Sequence, residues 1–216
     1  VGLGVKASND YIFYIIIGPV GSYFAGGINP LRLRAEERYV RSARGGVGYA
    51  KTGGNYAAAL LPIKEAQDAG FDQIIWLDAR EMKTVEEMGA MNIAFVYEDR
   101  IITAPTGDTI LNGVTRDSVG VLLGDMCYNR VEEHPPIAQV CEDARSGKLK
   151  EVLACGTAAV VTPVGLIHYK GADHIIGDGN EGKMTKKLRE TLTGIHTGGS
   201  ELHPEWIHKV PAFENV

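Results

Sequence analysis

Lys51 lies between two glycine clusters in residues 45–58, whose sequence is GGVGYAKTGGNYAA. Glycines allow the backbone to adopt positive φ and to approach a ligand closely. We expect a lysine in such a tight, partly dry place to lose some of its preference for the ammonium form, which favours Schiff-base chemistry. An exposed loop lysine is the structural alternative, and the rest of the chain has to decide between the two.

The same segment differs by one residue from the phosphate-binding pattern G-x-x-x-x-G-K-[ST]. Three features argue against a nucleotide site there. Ala50 replaces the second glycine, and Gly53 and Gly54 follow where a helix should already run. The preceding residues 38–44 are too charged for the buried strand that should lead into such a loop. Nucleotide binding is therefore a remote alternative.

The composition predicts one large globular domain, or one domain with a fragment of another. The 216 residues are 44% hydrophobic and 23% charged, with a net charge of −5. No run of Lys and Arg exceeds two residues, which argues against nucleic acid or an anionic membrane surface as a partner. We find neither a membrane-spanning apolar stretch nor a signal peptide. Three widely spaced cysteines predict no disulfide framework and no metal site, so a reducing cytoplasm is the expected location.

Predicted strands and helices are intermixed along the chain, with several strand–turn–strand pairs, which predicts a mixed α/β domain. Residues 11–17 (YIFYIII) have the pattern of a strand that is buried on both faces. Further strands are predicted at residues 31–34, 74–77, 93–97, 101–103, 152–153 and 159–164. Helices are predicted after a cap at Asn55 as far as Gly70, from Thr109 or Thr115, at residues 137–146 and at residues 184–195. The apolar face of the first helix should comprise Tyr56, Ala59, Leu60, Ile63 and Ala66.

Four motifs resemble, in order and spacing, those of the branched-chain amino acid aminotransferases. They are KTGGNY at residues 51–56, EEMGAMN at residues 86–92, LNGVTR at residues 111–116 and GTAA at residues 156–159. LTGI at residues 192–195 fits as well, and the similarity runs from about Gly18 to Trp206. These are fold-type IV enzymes that use pyridoxal 5′-phosphate (PLP). The resemblance implies the large C-terminal domain of that fold, a pseudo-barrel of mixed strands with surrounding helices.

The resemblance assigns the central chemistry to three residues. Lys51 would form a Schiff base with PLP and then act as the base and acid that moves the substrate α-proton. Glu87 would face the pyridine nitrogen and keep it protonated. Its neighbour Glu86 should turn away, because strand alternation lets only one of the two face the site. Tyr56 would hydrogen-bond the 3′-oxygen of the ring, with a core tyrosine as the alternative.

Other motif residues would hold the phosphate and the substrate. Gly113, Val114 and Thr115 precede or open a helix, where backbone amides and a hydroxyl can bind an anion. Thr157 resembles the second phosphate threonine of the family, and Ala158 would offer its amide to the substrate carboxylate. Without the resemblance, Thr115 would be interpreted as a helix cap and Thr157 as a turn residue.

Four further positions are placed near the site by the resemblance. Leu111 would pack on the cofactor ring. Arg41 matches an arginine near the site, with a surface salt bridge as the alternative. Tyr23 resembles a loop tyrosine near the substrate side chain, and Ala90 is expected in the substrate pocket.

The resemblance implies transamination of leucine, isoleucine and valine with 2-oxoglutarate by a homodimer. An apolar pocket separates substrates that differ by a methylene by only about 1–3 kcal/mol, so all three amino acids should react. Other fold-type IV activities remain open, namely D-amino acid aminotransferase and aminodeoxychorismate lyase. A third alternative is a non-catalytic remnant that uses its dimer surface for binding.

Two departures from the family are visible. Residues 159–162 (AVVT) replace the Cys-x-x-Cys pair of animal members, so no thiol switch of that type is expected. The chain begins at Val1 rather than Met and has no counterpart of the family's smaller N-terminal domain. We therefore expect residues 1–30 to be the end of that domain and the interdomain loop, and residues 31–216 to be the PLP-binding domain.

Overall fold

A curled sheet of mixed strands organises the computed structural model, which describes residues 4–19 and 28–210. In chain order its strands are β1 (Leu31–Ala35), β2 (Gln73–Leu77), β3 (Val85–Met88), β4 (Asn92–Val96), β5 (Arg100–Thr103), β6 (Asn129–Glu132), β7 (Glu151–Gly156), β8 (Val160–Tyr169) and β9 (Ala172–Ile175). The helices are α1 (Gly53–Asp68), α2 (Val114–Asp125), α3 (Ile137–Arg145) and α4 (Lys183–His196), followed by a 3₁₀ turn at Pro204–Trp206. None of the helices in these two ranges has the length and apolar character of a membrane span.

The strand order is β3-β2-β1-β8-β7-β4-β5-β6, with β9 paired to β8. Strand β1 is parallel to both β2 and β8, and α1 forms the crossover between β1 and β2. Strands β3 and β4 are joined by a tight turn in which Met88 and Met91 form an isolated bridge. This turn brings the end of the sheet back to its sixth strand, so the sheet curls into the pseudo-barrel that the family resemblance implied.

Alternating side chains place the helices on the sheet. In β2, Ile75 and Leu77 join the interior cluster, whereas Ile74 and Trp76 pack with α1 residues. Helix α3 adds four buried residues to the interior cluster, which are Ile137, Val140, Cys141 and Ala144. Helices α2 and α4 cover the other face of β4, β5 and β7 through Val119, Leu122, Leu123, Leu188, Leu192 and Ile195. The expectation of mixed strands with surrounding helices is therefore confirmed.

The prediction of a buried strand at residues 11–17 is wrong for the described chain. These residues form no strand, and their side chains are 72–90% exposed. A strand needs a neighbour for its backbone N–H and C=O groups, and no strand among residues 4–19 and 28–210 pairs with this segment. An apolar β-rich pattern alone therefore did not determine the conformation.

Two helix starts also differ from the prediction. Thr52 is the N-cap of α1, and Asn55 lies inside its first turn, where its amide donates to the carbonyls of Val47 and Ala50. Gly113, not Thr109 or Thr115, is the N-cap of α2. In α1 the packed face is shifted, because Pro62 is buried while Leu60 is 69% exposed. Strands β6 and β9 were not predicted; their short, partly charged sequences are NRVE and ADHI.

Candidate active site

Four separate stretches of the chain converge on a cavity of about 210 Å³. They are the Lys51 loop, the turn between β3 and β4, the segment before α2, and the end of β7. The predicted site residues that line the cavity are Lys51, Glu87, Ala90, Leu111, Gly113, Val114, Thr115 and Thr157. The sequence did not single out the other lining residues, which are Met91, Asn92, Asn112, Cys155 and Gly156.

The turn between β3 and β4 carries one wall of the cavity, and two hydrogen bonds hold it in place. Gly89 has φ +51, a conformation that L side chains rarely adopt. Its N–H donates to the carbonyl of Ile74 at 2.9 Å, and its own carbonyl accepts from Trp76 Nε1 at 2.8 Å. Because Trp76 is fully buried, the turn is anchored to the core next to Glu87.

Contacts with Asp108 and the residue after it hold the Lys51 loop in place, whereas Lys51 itself is exposed. The N–H of Tyr49 donates to the Asp108 carbonyl at 3.1 Å, and a Cβ at Gly48 would lie 2.7 Å from that same oxygen. Glycine is therefore required at position 48 for this close approach. The ammonium of Lys51 lies 5.3 Å from the centre of the Tyr56 ring. The expectation of a partly dry lysine is wrong for the described residues, since Lys51 is exposed on the loop before α1.

The nucleotide-binding alternative also depends on this loop. Residues 38–44 form no strand, so the structural lead-in of a phosphate-binding loop is missing. The objection drawn from Gly53 and Gly54 is wrong, because α1 begins at Gly53 directly after Thr52.

Glu87 is the most enclosed polar group of the cavity, with 2% of its surface exposed. Its Oε2 lies 2.9 Å from Nε of Arg41, and its Oε1 accepts the N–H of Leu111 at 2.7 Å and the amide of Asn92 at 3.3 Å. Burial raises the pKa of Glu87 to about 7, against the opposing attraction of the Arg41 guanidinium. The carboxyl can therefore gain or lose a proton near neutral pH. Arg41 is itself buried, so the alternative of a surface salt bridge is wrong.

Glu86 is buried as well, because β3 contains a bulge. Trp76 pairs with Glu87 and Leu77 pairs with Val85, which leaves Glu86 as the extra residue. Of the two carboxyls, only Glu87 lines the cavity, as the motif indicated, and Glu86 does not reach solvent.

The N-terminus of α2 lines the cavity. Its first amides, at Val114 and Thr115, have no partner within the helix and lie at the positive end of the helix dipole. Gly113 lets the chain approach Asn92 closely, because a Cβ there would lie 2.5 Å from Asn92 Oδ1. This donor set fits a phosphate group, and Thr157 adds an exposed hydroxyl in the turn between β7 and β8.

Of the remaining predicted residues, those that the structure describes do not line this cavity. Tyr56 and Arg41 line a neighbouring cavity of about 170 Å³, which shares Ala90 with the first. Ala158 is exposed in the turn between β7 and β8 and lines neither cavity. Tyr23 falls outside the described residues.

Asn92 is the main residue that sequence reasoning left without a role. Its amide nitrogen donates to the carbonyl of Leu111 at 3.0 Å and to Glu87, and so connects two predicted residues. A signal was present, since a polar residue begins the otherwise apolar strand NIAFV. Cys155 closes part of the wall, and burial raises the pKa of its thiol to about 12. It therefore contributes a neutral, mainly apolar surface.

Comparison with known sequences places these motifs in context. Residues 22–167 match the family described as Amino-transferase class IV. The chain is 45% identical over 208 residues to a probable branched-chain-amino-acid aminotransferase of Streptomyces coelicolor, which covers 96% of this chain and 58% of that protein. It is 47% identical over 197 residues to branched-chain-amino-acid transaminase 1 of Bacillus subtilis, covering 91% of this chain and 55% of that protein. The chain thus spans little more than half the length of these relatives.

Solved structures of similar fold bear related descriptions. The Escherichia coli branched-chain amino acid aminotransferase matches with a TM-score of 0.76 and 27% identity, over 89% of this chain and 60% of that chain. The branched-chain aminotransferase of the archaeon Thermoproteus uzoniensis, solved with norvaline, matches with a TM-score of 0.73 and 28% identity, over 87% of this chain and 58% of that chain. Four motifs that meet at one cavity, the matched family and these relatives agree, and the chain belongs to the class IV aminotransferase family.

Proposed function

We propose that the protein containing this chain is a PLP-dependent aminotransferase that transfers the amino group of leucine, isoleucine or valine to 2-oxoglutarate. The observation that carries the proposal is the shared cavity of Lys51, Glu87 and the N-terminus of α2 in a class IV family member. The names of the relatives support the branched-chain substrates. PLP, when bound, supplies an aldehyde that condenses with amines and a ring that accepts electrons.

Lys51 and Glu87 carry the proton chemistry in this proposal. The amine of Lys51 is the point of cofactor attachment, and its Nζ takes up and returns the substrate α-proton. Its exposed position on a loop leaves it free to reach into the cavity. The carboxyl of Glu87 holds a proton against a ring nitrogen, while Arg41 and the N–H of Leu111 keep the carboxyl in place.

Binding groups surround these two residues. The amides of Val114 and Thr115 and the hydroxyls of Thr115 and Thr157 hold the phosphate. Leu111 packs on the ring. The other roles carried over from the family are the ring-oxygen contact of Tyr56 and the substrate contacts of Tyr23, Ala90 and Ala158.

The wider organisation is part of the same proposal. Residues 1–30 end an N-terminal domain and residues 31–216 form the PLP-binding domain, in a cytoplasmic homodimer. The exposed apolar side chains of residues 11–17 support the proposal that this segment packs against another part of the protein or its partner.

Covalent labelling tests the proposal on the complete protein that contains this chain. Adding PLP should produce a visible absorption band that borohydride removes, and peptide mapping should find the reduced adduct on Lys51. The band should be absent in Lys51→Ala and present in Lys64→Ala, a control lysine that is exposed on α1 and paired with Asp68. An adduct on another lysine, or none, would contradict the assignment.

A substrate comparison separates the alternatives. Leucine, isoleucine and valine should each consume 2-oxoglutarate, whereas D-alanine and aminodeoxychorismate should not react. Turnover of D-alanine would favour a D-amino acid aminotransferase. Magnesium-dependent ATP binding without a PLP band would favour the nucleotide-binding alternative.

A further inference from the structure

Glu86 is a buried carboxyl for which the proposed function has no use. It is the extra residue of the β3 bulge, and 5% of its surface is exposed. Its Oε2 has no hydrogen-bond partner. Buried polar atoms without partners are rare and costly, and bulges often lie beside active sites, where they redirect side chains. The unpartnered oxygen and the bulge both suggest that Glu86 has a function at the site.

Glu86 connects to the cavity through a short series of contacts. The hydroxyl of Thr109 donates to Oε1 of Glu86 at 2.7 Å. The carbonyl of Thr109 accepts from Nη1 of Arg41 at 2.6 Å, and Nε of Arg41 lies 2.9 Å from Oε2 of Glu87. Two adjacent carboxyls on β3 are therefore linked through residues that are distant in sequence.

The segment around Thr109 supports the cavity in two other ways. Thr109 lies in the turn closed by the bridge between Gly107 and Ile110, and the nearby Leu111 donates its N–H to Glu87. On the other side of the turn, Asp108 accepts the N–H groups of Gly45 and Tyr49 from the Lys51 loop. The position of this turn thus affects both Glu87 and the loop of Lys51.

We propose that Glu86 is a positioning residue, which holds Thr109 and thereby orients Arg41 and Leu111 against the carboxyl of Glu87. The consequence for cofactor binding rests on the proposed function, but the geometry of Glu87 does not. The two can therefore be tested separately.

In this proposal, Glu86 is protonated and neutral when it holds Thr109. The two buried carboxyls have one nearby guanidinium, that of Arg41. Glu87 forms the ion pair with it and accepts two further hydrogen bonds. Glu86 accepts only the hydrogen bond from the Thr109 hydroxyl. The charged groups that act on Glu86 are Asp78 before β3, Glu87 on β3 and Arg41 in the segment after β1. Burial raises the pKa of Glu86 to about 7, and a neutral carboxyl costs much less to bury than a carboxylate.

Carboxyl titration in the complete protein without PLP tests the geometry directly. The ¹³C resonance of Glu87, assigned with Glu87→Gln, is followed against pH in Glu86→Gln, Glu86→Leu and Thr109→Val. Glu86→Leu and Thr109→Val should each move the midpoint of Glu87 to higher pH, because Arg41 and Leu111 are held less firmly. The combined variant should move it no further than either alone. Glu86→Gln should not move the midpoint to higher pH, since an amide replaces the neutral acid and removes a charge that raises the pKa of Glu87.

PLP affinity is the second readout. Glu86→Leu and Thr109→Val should bind PLP about five- to tenfold more weakly, as expected for one lost hydrogen bond, and Glu86→Gln should bind normally. The matched control is Thr103→Val, which removes a buried hydroxyl that donates to Ile93 on β4. It should lower the unfolding temperature and change neither the Glu87 midpoint nor the affinity.

The outcomes decide between the alternatives. An unchanged Glu87 midpoint in Thr109→Val and Glu86→Leu, with lower stability alone, overturns the positioning role. A Glu87 midpoint that moves to higher pH in Glu86→Gln as well overturns the inference that Glu86 acts as the neutral acid. Thr109 is only half-buried, so Thr109→Val provides the test if Glu86→Leu does not fold. A shifted midpoint in a protein that binds no PLP supports the positioning role and overturns the proposed function.

Discussion

Replacing Arg41 by methionine tests the electrostatics of the site most directly. Arg41 is 8% exposed, and its guanidinium contacts Glu87 at 2.9 Å and the carbonyls of Thr109 and Gly48 at 2.6 and 3.1 Å. Methionine keeps an unbranched apolar stem of similar length and removes the charge. Arg41→Met therefore leaves Glu87 buried without its ion-pair partner.

The expected loss of stability follows from the distance and the burial. At 2.9 Å and an effective dielectric constant of about 20, Coulomb's law gives an attraction of about 6 kcal/mol before desolvation is subtracted. Removing one partner of a buried pair typically costs about 3–5 kcal/mol. We expect a loss in that range when Glu87 is ionised.

The loss should depend on pH. Burial raises the pKa of Glu87 from 4.5 to about 7, and without Arg41 it should rise further because the main opposing effect is gone. A raised pKa in the folded state favours folding at low pH, and this contribution is lost as the pH rises through the folded pKa. The deficit of Arg41→Met should therefore be largest near about pH 8. Near about pH 5.5, with Glu87 mostly neutral in both proteins, mainly the two carbonyl contacts are missing, at roughly 1 kcal/mol each.

Urea unfolding of the complete protein without PLP measures these differences. The set comprises the wild type, Arg41→Met, Glu87→Gln and the double variant at both pH values. The double variant should recover part of the loss at high pH, because no buried charge remains. A deficit that is independent of pH, or larger at low pH, would refute the reasoning, as would a double variant that recovers nothing.

Three further predictions follow from individual contacts. Gly113→Ala should weaken PLP binding about tenfold, measured by titration, because its Cβ would lie 2.5 Å from Asn92 Oδ1 and displace that amide. Among the three cysteines, a thiol reagent should label the exposed Cys127 first in peptide mapping, because burial raises the pKa of the other two to about 11 and about 12. His203 should titrate above its ordinary pKa in an NMR experiment because of its hydrogen bond to Asp125, and Asp125→Asn should lower the midpoint.

Local sequence patterns were sufficient for most elements. The apolar runs at β2 and β4 and the spaced apolar residues of α4 predicted these elements to within a few positions. Each depends on its own residues and on a core that any packed domain supplies. The segment at residues 11–17 shows the limit of this reasoning. Its composition is that of a strand, but a strand forms only where another strand completes its hydrogen bonds.

The sequence by itself determined which reactive and binding groups are present. They are a lysine among glycines, a pair of carboxyls, and two threonines after glycines, in the order typical of one family. The tertiary structure alone decided which of these meet. The bulge that buries Glu86 depends on the register of β3 against β2, and the contact between Arg41 and Thr109 joins residues 68 positions apart. Local propensity reaches only a few residues along the chain, whereas these contacts arise from how the sheet curls.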